Sequence, residues 1–393
     1  MYLVFLFILT YIEGKFNAFA KKRSFTLDNN YILPAYPCQS DVWDALSLEK
    51  RPIVVYGMGN GADKLIRRFE KYGIKISDIF ASDGFVRGHS YTGFKVKSFS
   101  EIKETYQDFV IVLSFASNRP EVIDMLAKID SQFEMYVPDM PVTDESEYFD
   151  RAYYNNHFNE IQKVYDSLKD DLSKNIYAAV INYRLSGKLE YLIDGYSEKA
   201  EMYSLLKIRD IETVIDAGAY NGDTAKEAIE YFPNLSLIYA IEADKRNYKK
   251  LLKFAEESSV EIRALNAAVW NSCKKGIFIG SGNRNSSVSS TASYEHKETD
   301  TELISIDSLK VSNADYIKYD VEGAEYEALV GSENTIASSS PAMLVSLYHR
   351  SRDIFFIPIY LMKKYPLYDF YIRRMYSVPA WELNLIMIPK TLE

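Results

Sequence analysis

Short apolar runs alternate with turn residues along most of the chain, and between them apolar residues recur at helical spacing. Ile53-Val-Val-Tyr56 is an apolar run, Gly57-Met-Gly-Asn-Gly-Ala62 is a tight turn, and Leu65, Ile66 and Phe69 follow helical spacing within Asp63 to Tyr72. The pattern predicts a strand, a turn and a helix. Further strands are predicted at Ile76 to Ala81, at Phe109 to Phe115 and, briefly, at Glu134 to Val137, giving a small parallel sheet that ends near Pro141. Pro34 to Ser40, rich in Pro and small polar residues, reads as a linker before it.

The period then changes. Phe149, Tyr153, Phe158, Ile161, Val164 and Leu168, followed by Ile176, Val180 and Tyr183, keep helical spacing and predict a helical bridge. Strands resume at Thr213 to Asp216, Leu237 to Glu242, Glu261 to Val269, Tyr316 to Tyr319 and Met343 to Tyr348, with helical stretches between them. Tyr368 to Arg373 and Leu383 to Ile388 lie close together around a Pro-containing connection and can pair antiparallel. Ser281 to Thr301 is polar and without hydrophobic period, which predicts a loop placed to act as a substrate lid or as plain surface. The expected organisation is 1–50 as a leading segment and linker, 51–142 as a small Rossmann-like domain, 143–206 as the bridge and 207–393 as a larger α/β domain. The bridge predicts two separable sheets.

Composition narrows the function classes. With 393 residues and a net charge of −9 the chain has the length for two cores, and it carries no basic run that would neutralise several phosphates, so nucleic acid is not expected as a partner. The apolar run Tyr2 to Ile12 is about half of the ~20 residues that span a bilayer, and it lacks the features of a signal peptide. It is expected to be a packing segment despite Lys21, Lys22 and Arg23 behind it, and membrane association is not expected. Two distant cysteines, Cys38 and Cys273, fit a reducing cytoplasm.

Candidate chemistry concentrates in Val214-Ile-Asp216-Ala-Gly218-Ala-Tyr220-Asn-Gly222-Asp-Thr224, a buried strand, an acid, two glycines and a helix start. Gly218 and Gly222 allow a tight turn and close approach to a ligand, and Asp223 or Thr224 is placed to cap the helix. Asp216 suits a ligand with a cationic amino group, such as S-adenosylmethionine, better than a pyrophosphate. Glu242 ends the next strand, where a dinucleotide fold holds a ribose diol with an acid. Such turns also carry Gly and Asp for geometry alone.

The turn Asp216-Ala-Gly-Ala-Tyr-Asn-Gly222 resembles the Asp-x-Gly-Ala-Asn-x-Gly segment of FkbM-type methyltransferases, with Tyr220 in place of the usual Asn. Leu303-Ile-Ser-Ile-Asp307-Ser-Leu followed by Tyr316-Ile-Lys318-Tyr-Asp320-Val-Glu322-Gly323-Ala-Glu325 is similar to that family's second signature. The resemblance, over roughly Thr213 to Pro389, implies a class I methyltransferase Rossmann-like sheet. It also implies methyl transfer from S-adenosylmethionine, commonly to a hydroxyl of a sugar, polyketide or similar metabolite. Cofactor residues would be Asp216, Gly218, Tyr220, Gly222, Thr224, Glu242 and Asp320.

Asp320 or His349 would receive the hydroxyl proton, His349 because imidazole titrates in the useful range; a satisfied structural histidine fits equally. The family often has a Glu-x-His pattern there, and Ser346 leaves the acid missing. Lys318 shares a face with Asp320, and Arg373 and Arg374 offer guanidinium groups to an anionic substrate or to solvent. A divalent metal near Asp320 stays open because carboxylates cluster there, although no His/Asp spacing demands one. N- or C-methylation by the same fold, and a silent nucleotide-sugar-binding scaffold, stay open. Gly57, Gly59 and Ala62 fit a dinucleotide fingerprint weakly, with Asp83 as its ribose acid if a ligand is retained.

Overall fold

In a computed structural model of the chain, the residues described are 30–86, 88, 90–143, 147–206, 210–280, 287–289 and 297–390. The apolar run Tyr2 to Ile12 and the basic residues Lys21 to Arg23 lie outside them. The first apolar run forms β1 (Ile53–Tyr56), buried at every position, and β2 is Asp78–Ala81. Ser90–Tyr91 (β3) and Phe94–Lys95 (β4) make a small hairpin, followed by β5 (Lys97–Ser98), β6 (Val110–Leu113) and β7 (Met135–Tyr136). Strands pair in the order β5-β2-β1-β6-β7, all parallel.

The second sheet contains β8 (Thr213–Ala217), β9 (Leu237–Ile241) and β10 (Glu261–Leu265). The run expected as one strand to Val269 breaks at Asn266, whose side-chain amide donates to the carbonyls of Glu242 at 2.9 Å and Ala243 at 3.1 Å. β11 (Ala268–Val269) therefore leaves for a separate sheet with β12 (Lys274–Gly280), β13 (Ser287–Ser289) and β14 (Lys297–Ile304), in the order β11-β14-β12-β13. This corrects the expected loop: β13 and β14 fall within or overlap 281–301, because backbone pairing with β12 holds them without any apolar alternation. Residues 281–286 and 290–296 of that stretch lie outside the described residues.

β15 (Tyr316–Tyr319), β16 (Ala342–Ser346), β17 (Tyr368–Arg374) and β18 (Leu383–Pro389) complete the larger sheet, ordered β10-β9-β8-β15-β16-β18-β17. Only β18 runs antiparallel to its neighbours. Chain order reverses between β8 and β15, the place where an open α/β sheet forms a ligand crevice at the strands' carboxyl ends.

The bridge is helical as expected. Its longest helix, Asp171–Ser186, is capped by the Asp170 carboxylate, which accepts from the Ser173 N–H, and it ends at the left-handed Gly187. Ile176, Tyr177, Val180 and Ile181 of this helix share one apolar cluster with Val54 and Ile111 of the first sheet and Ile215 and Val345 of the second. Each such side chain contributes roughly 1.5–3 kcal/mol on burial. Residues 32–393 are one compact unit, and the two sheets share a core through this helix. Among the described residues no helix is long and apolar enough to cross a membrane.

Candidate active site

The glycine turn after β8 is shaped by the chain's own packing. Gly218 has φ +93°, and a Cβ there would stand 1.8 Å from the Asp320 carbonyl oxygen; at Gly222, φ +91°, a Cβ would stand 2.6 Å from the Phe254 ring. Close packing within the chain and left-handed backbone thus require glycine at both positions. The following helix, Asp223–Tyr231, begins at Gly222 with no side-chain cap, so neither Asp223 nor Thr224 caps it as expected. Thr224 instead accepts a 2.9 Å hydrogen bond from Lys318 Nζ.

Glu242 is buried at the end of β9. Its carboxylate accepts from the Tyr220 N–H at 2.8 Å and the Asp244 N–H at 2.7 Å, clamping the turn against the next loop. Burial pushes its pKa up to about 7, against the lowering effect of those two N–H groups. Asp216 is fully buried, and neither carboxylate oxygen makes a hydrogen bond. Burial raises it to about 6, partly offset by Lys318, which lies opposite it in the β8–β15 pair with Nζ 3.8 Å from Oδ1.

Lys318 also stands 3.4 Å from Asp320 Oδ2. Asp320 Oδ1 accepts from the Tyr348 hydroxyl at 3.0 Å. Burial alone would raise the Asp320 pKa, but Lys318, His349 and the Tyr348 hydroxyl outweigh it and hold the carboxyl below its ordinary value. His349 is fully buried, with Nδ1 2.9 Å from Glu325 Oε1 and Nε2 3.4 Å from Glu322 Oε2 and 3.6 Å from Asp320 Oδ1. Burial lowers its proton affinity, yet Glu325 and Glu322 outweigh burial and raise its pKa well above the usual value. His349 is thus enclosed by three carboxylates.

A cavity of about 460 Å³ opens at these strand ends. Of the expected site residues, Gly218, Tyr220, Thr224, Glu242 and Asp320 line it, whereas Asp216, Gly222 and His349 stand behind its wall. Its volume is in the range of small-molecule sites, about 300–1,000 Å³. Lys318, Glu322 and Tyr348 join the lining, as do Tyr196, Tyr376 and Trp381 from other segments and Asn118 from the N-terminal sheet's side. Tyr220 (φ 47°), Glu322 (φ 55°) and Glu382 (φ 59°) hold left-handed backbone on this wall, a conformation that costs a non-glycine residue about 1–3 kcal/mol. The Asp-x-Glu-Gly spacing placed Glu322 at a strand end but gave it no role. Nothing in the sequence linked Asn118 or Trp381 to the site.

Two expected features serve structure instead. Arg373 and Arg374 are buried. Arg373 donates to Asp170 and Glu201 at 2.7 Å each, and Arg374 donates to the carbonyls of Gly195 at 2.7 Å and Ser377 at 2.9 Å, so neither is offered to a substrate. In the N-terminal turn the Tyr91 hydroxyl accepts from the Gly59 N–H at 3.2 Å and donates to its carbonyl at 3.0 Å. Asp83, the expected ribose acid there, accepts from the Ser100 hydroxyl at 2.7 Å and its N–H at 3.2 Å.

Residues 216–374 match the family model described as the Methyltransferase FkbM domain. The crystal structure of Methyltransferase FkbM from Methylobacillus flagellatus KT is 19% identical, with a TM-score of 0.64 over 96% of this chain and 99% of that one. The fold is therefore shared along nearly the whole length, N-terminal sheet included. An rRNA methylase from Streptococcus thermophilus (11% identity, TM-score 0.33) covers 50% of this chain and 98% of its own. The Aeropyrum pernix fibrillarin solved with natively bound S-adenosyl-L-methionine (14% identity, TM-score 0.31) covers 48% and 74%. No curated protein matches significantly. Much of the cavity's lining, Gly218, Tyr220, Glu242, Lys318, Asp320 and Glu322 included, thus comes from the stretch that matches the Methyltransferase FkbM domain model.

Proposed function

We propose that the chain is an S-adenosylmethionine-dependent methyltransferase that methylates a hydroxyl of a small metabolite, such as a sugar or polysaccharide precursor. The observation that carries the reading is a single cavity of about 460 Å³ in which a polar shelf, Tyr220 with Glu242 and Asp244, shares a wall with Lys318, Asp320 and the aromatic residues Tyr196, Tyr376 and Trp381. The polar shelf suits the cofactor: both Glu242 oxygens are fixed by backbone N–H groups and keep lone pairs for a ribose diol. Lys318 and Thr224 are the groups for the methionyl carboxylate, with Asp216 holding Lys318 from behind. The bound cofactor supplies an electrophilic methyl group on a sulfonium. The chain's own task is to hold the acceptor in line with it and exclude water.

The acceptor hydroxyl is seated against Asp320 and Glu322. Asp320 is ionised at neutral pH and, held by Tyr348 and Lys318, fixes the hydroxyl's orientation. Glu322, whose pKa burial raises, has the greater affinity for the departing proton. Calorimetry with S-adenosylmethionine and S-adenosylhomocysteine, followed by labelled methyl transfer to a panel of hydroxyl-bearing saccharides and small metabolites, tests the reading. Affinity for both cofactor forms and label in an ether linkage are expected. No affinity for either cofactor form would end it.

A further inference from the structure

We infer that Asp320, Glu325 and His349 form a site for one divalent first-row transition ion at the edge of the cavity. One ligand atom from each lies within 4.8 Å of those of the other two. Atoms bound at about 2.0–2.2 Å to one ion are at most about 4.4 Å apart, so a small contraction brings all three into one shell.

Acidic clusters are common without an ion, and the histidine distinguishes this one. His349 is fully buried, and although Nδ1 stands 2.9 Å from Glu325 Oε1, neither ring nitrogen makes a hydrogen bond of normal geometry. Nε2 faces Glu322 Oε2 at 3.4 Å and Asp320 Oδ1 at 3.6 Å. Those distances exceed the roughly 2.7–2.9 Å of a charge-assisted N–H···O bond and match the separation of neighbouring ligands around an ion. Glu325 Oε2 is likewise buried without a hydrogen bond. The cations nearby do not satisfy these atoms: Lys318 approaches the other oxygen of Asp320, and Arg350 lies beside Gly323 with its own Nε buried and unbonded.

Outer contacts fix the ligands, as they do around resident ions. Glu325 Oε1 accepts from the N–H groups of Val321 at 3.0 Å and Gly323 at 3.2 Å, and the Tyr348 hydroxyl holds Asp320. An imidazole with two carboxylates favours Mn²⁺, Fe²⁺ or Zn²⁺ over Ca²⁺. Asp320 and Glu322 line the cavity, so the ion's open positions face it. Resting on the methyl-transfer reading, the ion's role is to bind the acceptor hydroxyl and make its proton easier to lose. The ion's binding does not rest on that reading.

The test is titration of the full chain, stripped with chelator, with Mn²⁺ and then Zn²⁺, followed by the loss of the free Mn²⁺ resonance signal and by calorimetry. One ion per chain is expected. Asp320→Asn, at the cavity wall, should weaken it at least 10–100-fold, and His349→Gln likewise if circular dichroism shows it folded. Asp83→Asn, distant from the site, should leave it unchanged. No saturable binding of either ion, or binding that Asp320→Asn leaves intact, overturns the inference. S-adenosylhomocysteine affinity measured in parallel separates the two readings. Cofactor binding without ion binding removes only this inference, and ion binding without cofactor binding removes only the methyl-transfer reading.

Discussion

Ser117 and Val378 exchange two backbone hydrogen bonds, the Ser117 N–H donating at 2.7 Å and the Val378 N–H at 2.9 Å. This bridge ties the loop after β6, in the N-terminal sheet, to the connection between β17 and β18 in the larger sheet. Asn118 on one side and Tyr376, Trp381 and Glu382 on the other line the same cavity. The part of the chain before residue 216 is therefore a wall of the site.

A truncated chain beginning at Ser204 is expected not to fold. It would leave Arg373 without Asp170 and Glu201, and Arg374 without the Leu192 and Gly195 carbonyls, while opening the core that Asp171–Ser186 fills. Stranding one buried guanidinium costs on the order of 3 kcal/mol, and two approach the whole stability of a domain. Thermal melting followed by circular dichroism checks this; a cooperative transition in the fragment would contradict it.

Gly218→Ala should abolish cofactor binding through structure. The added Cβ meets the Asp320 carbonyl oxygen at 1.8 Å at a left-handed φ, so β8 and β15 must separate where Asp320 is held. A loss above about 3 kcal/mol is expected, measured by urea unfolding. A variant with wild-type stability would show that the strand ends yield more easily than this packing implies.

Stability without cofactor should fall as pH rises from about 5 to about 7.5. The folded-state values of Glu242, about 7, and Asp216, about 6, both lie above the ordinary carboxylate values of 4.5 and 3.8. The folded state holds the extra proton, so this stabilisation is full below the unfolded values and is lost as pH rises through the folded ones. Glu242 alone accounts for on the order of 3 kcal/mol. Melting temperature against pH should flatten in Glu242→Gln; an equal slope in the variant would exclude Glu242 as its source.

Cofactor affinity should follow the opposite trend. An ionised Glu242 accepts ribose hydroxyls better than a protonated one, so affinity for S-adenosylhomocysteine should increase between about pH 6 and pH 8. Glu242→Gln should weaken it about 10-fold and remove most of the pH dependence. Calorimetry at both pH values decides, and pH dependence unchanged in the variant would assign it to another group.

The sequence by itself determined the two sheets, the helical bridge and the strand ends at which Asp216, Glu242 and Asp320 stand, because hydrophobic period and turn residues act over a few neighbours in the chain. It also marked the signature around Asp320, Glu322 and Glu325. Only the tertiary structure decided which of these groups meet. Asp216 is withdrawn behind Lys318 by strand pairing. His349, expected as a base, is enclosed by carboxylates from the loop and helix start after β15, whose charges raise its pKa well above the usual value. Arg373 and Arg374, exposed by their pattern, are buried because Asp170 and Glu201 of the bridge and the carbonyls near Gly195 fold over them. Burial and the proximity of distant charges depend on how elements pack, and spacing along the chain carries no record of that.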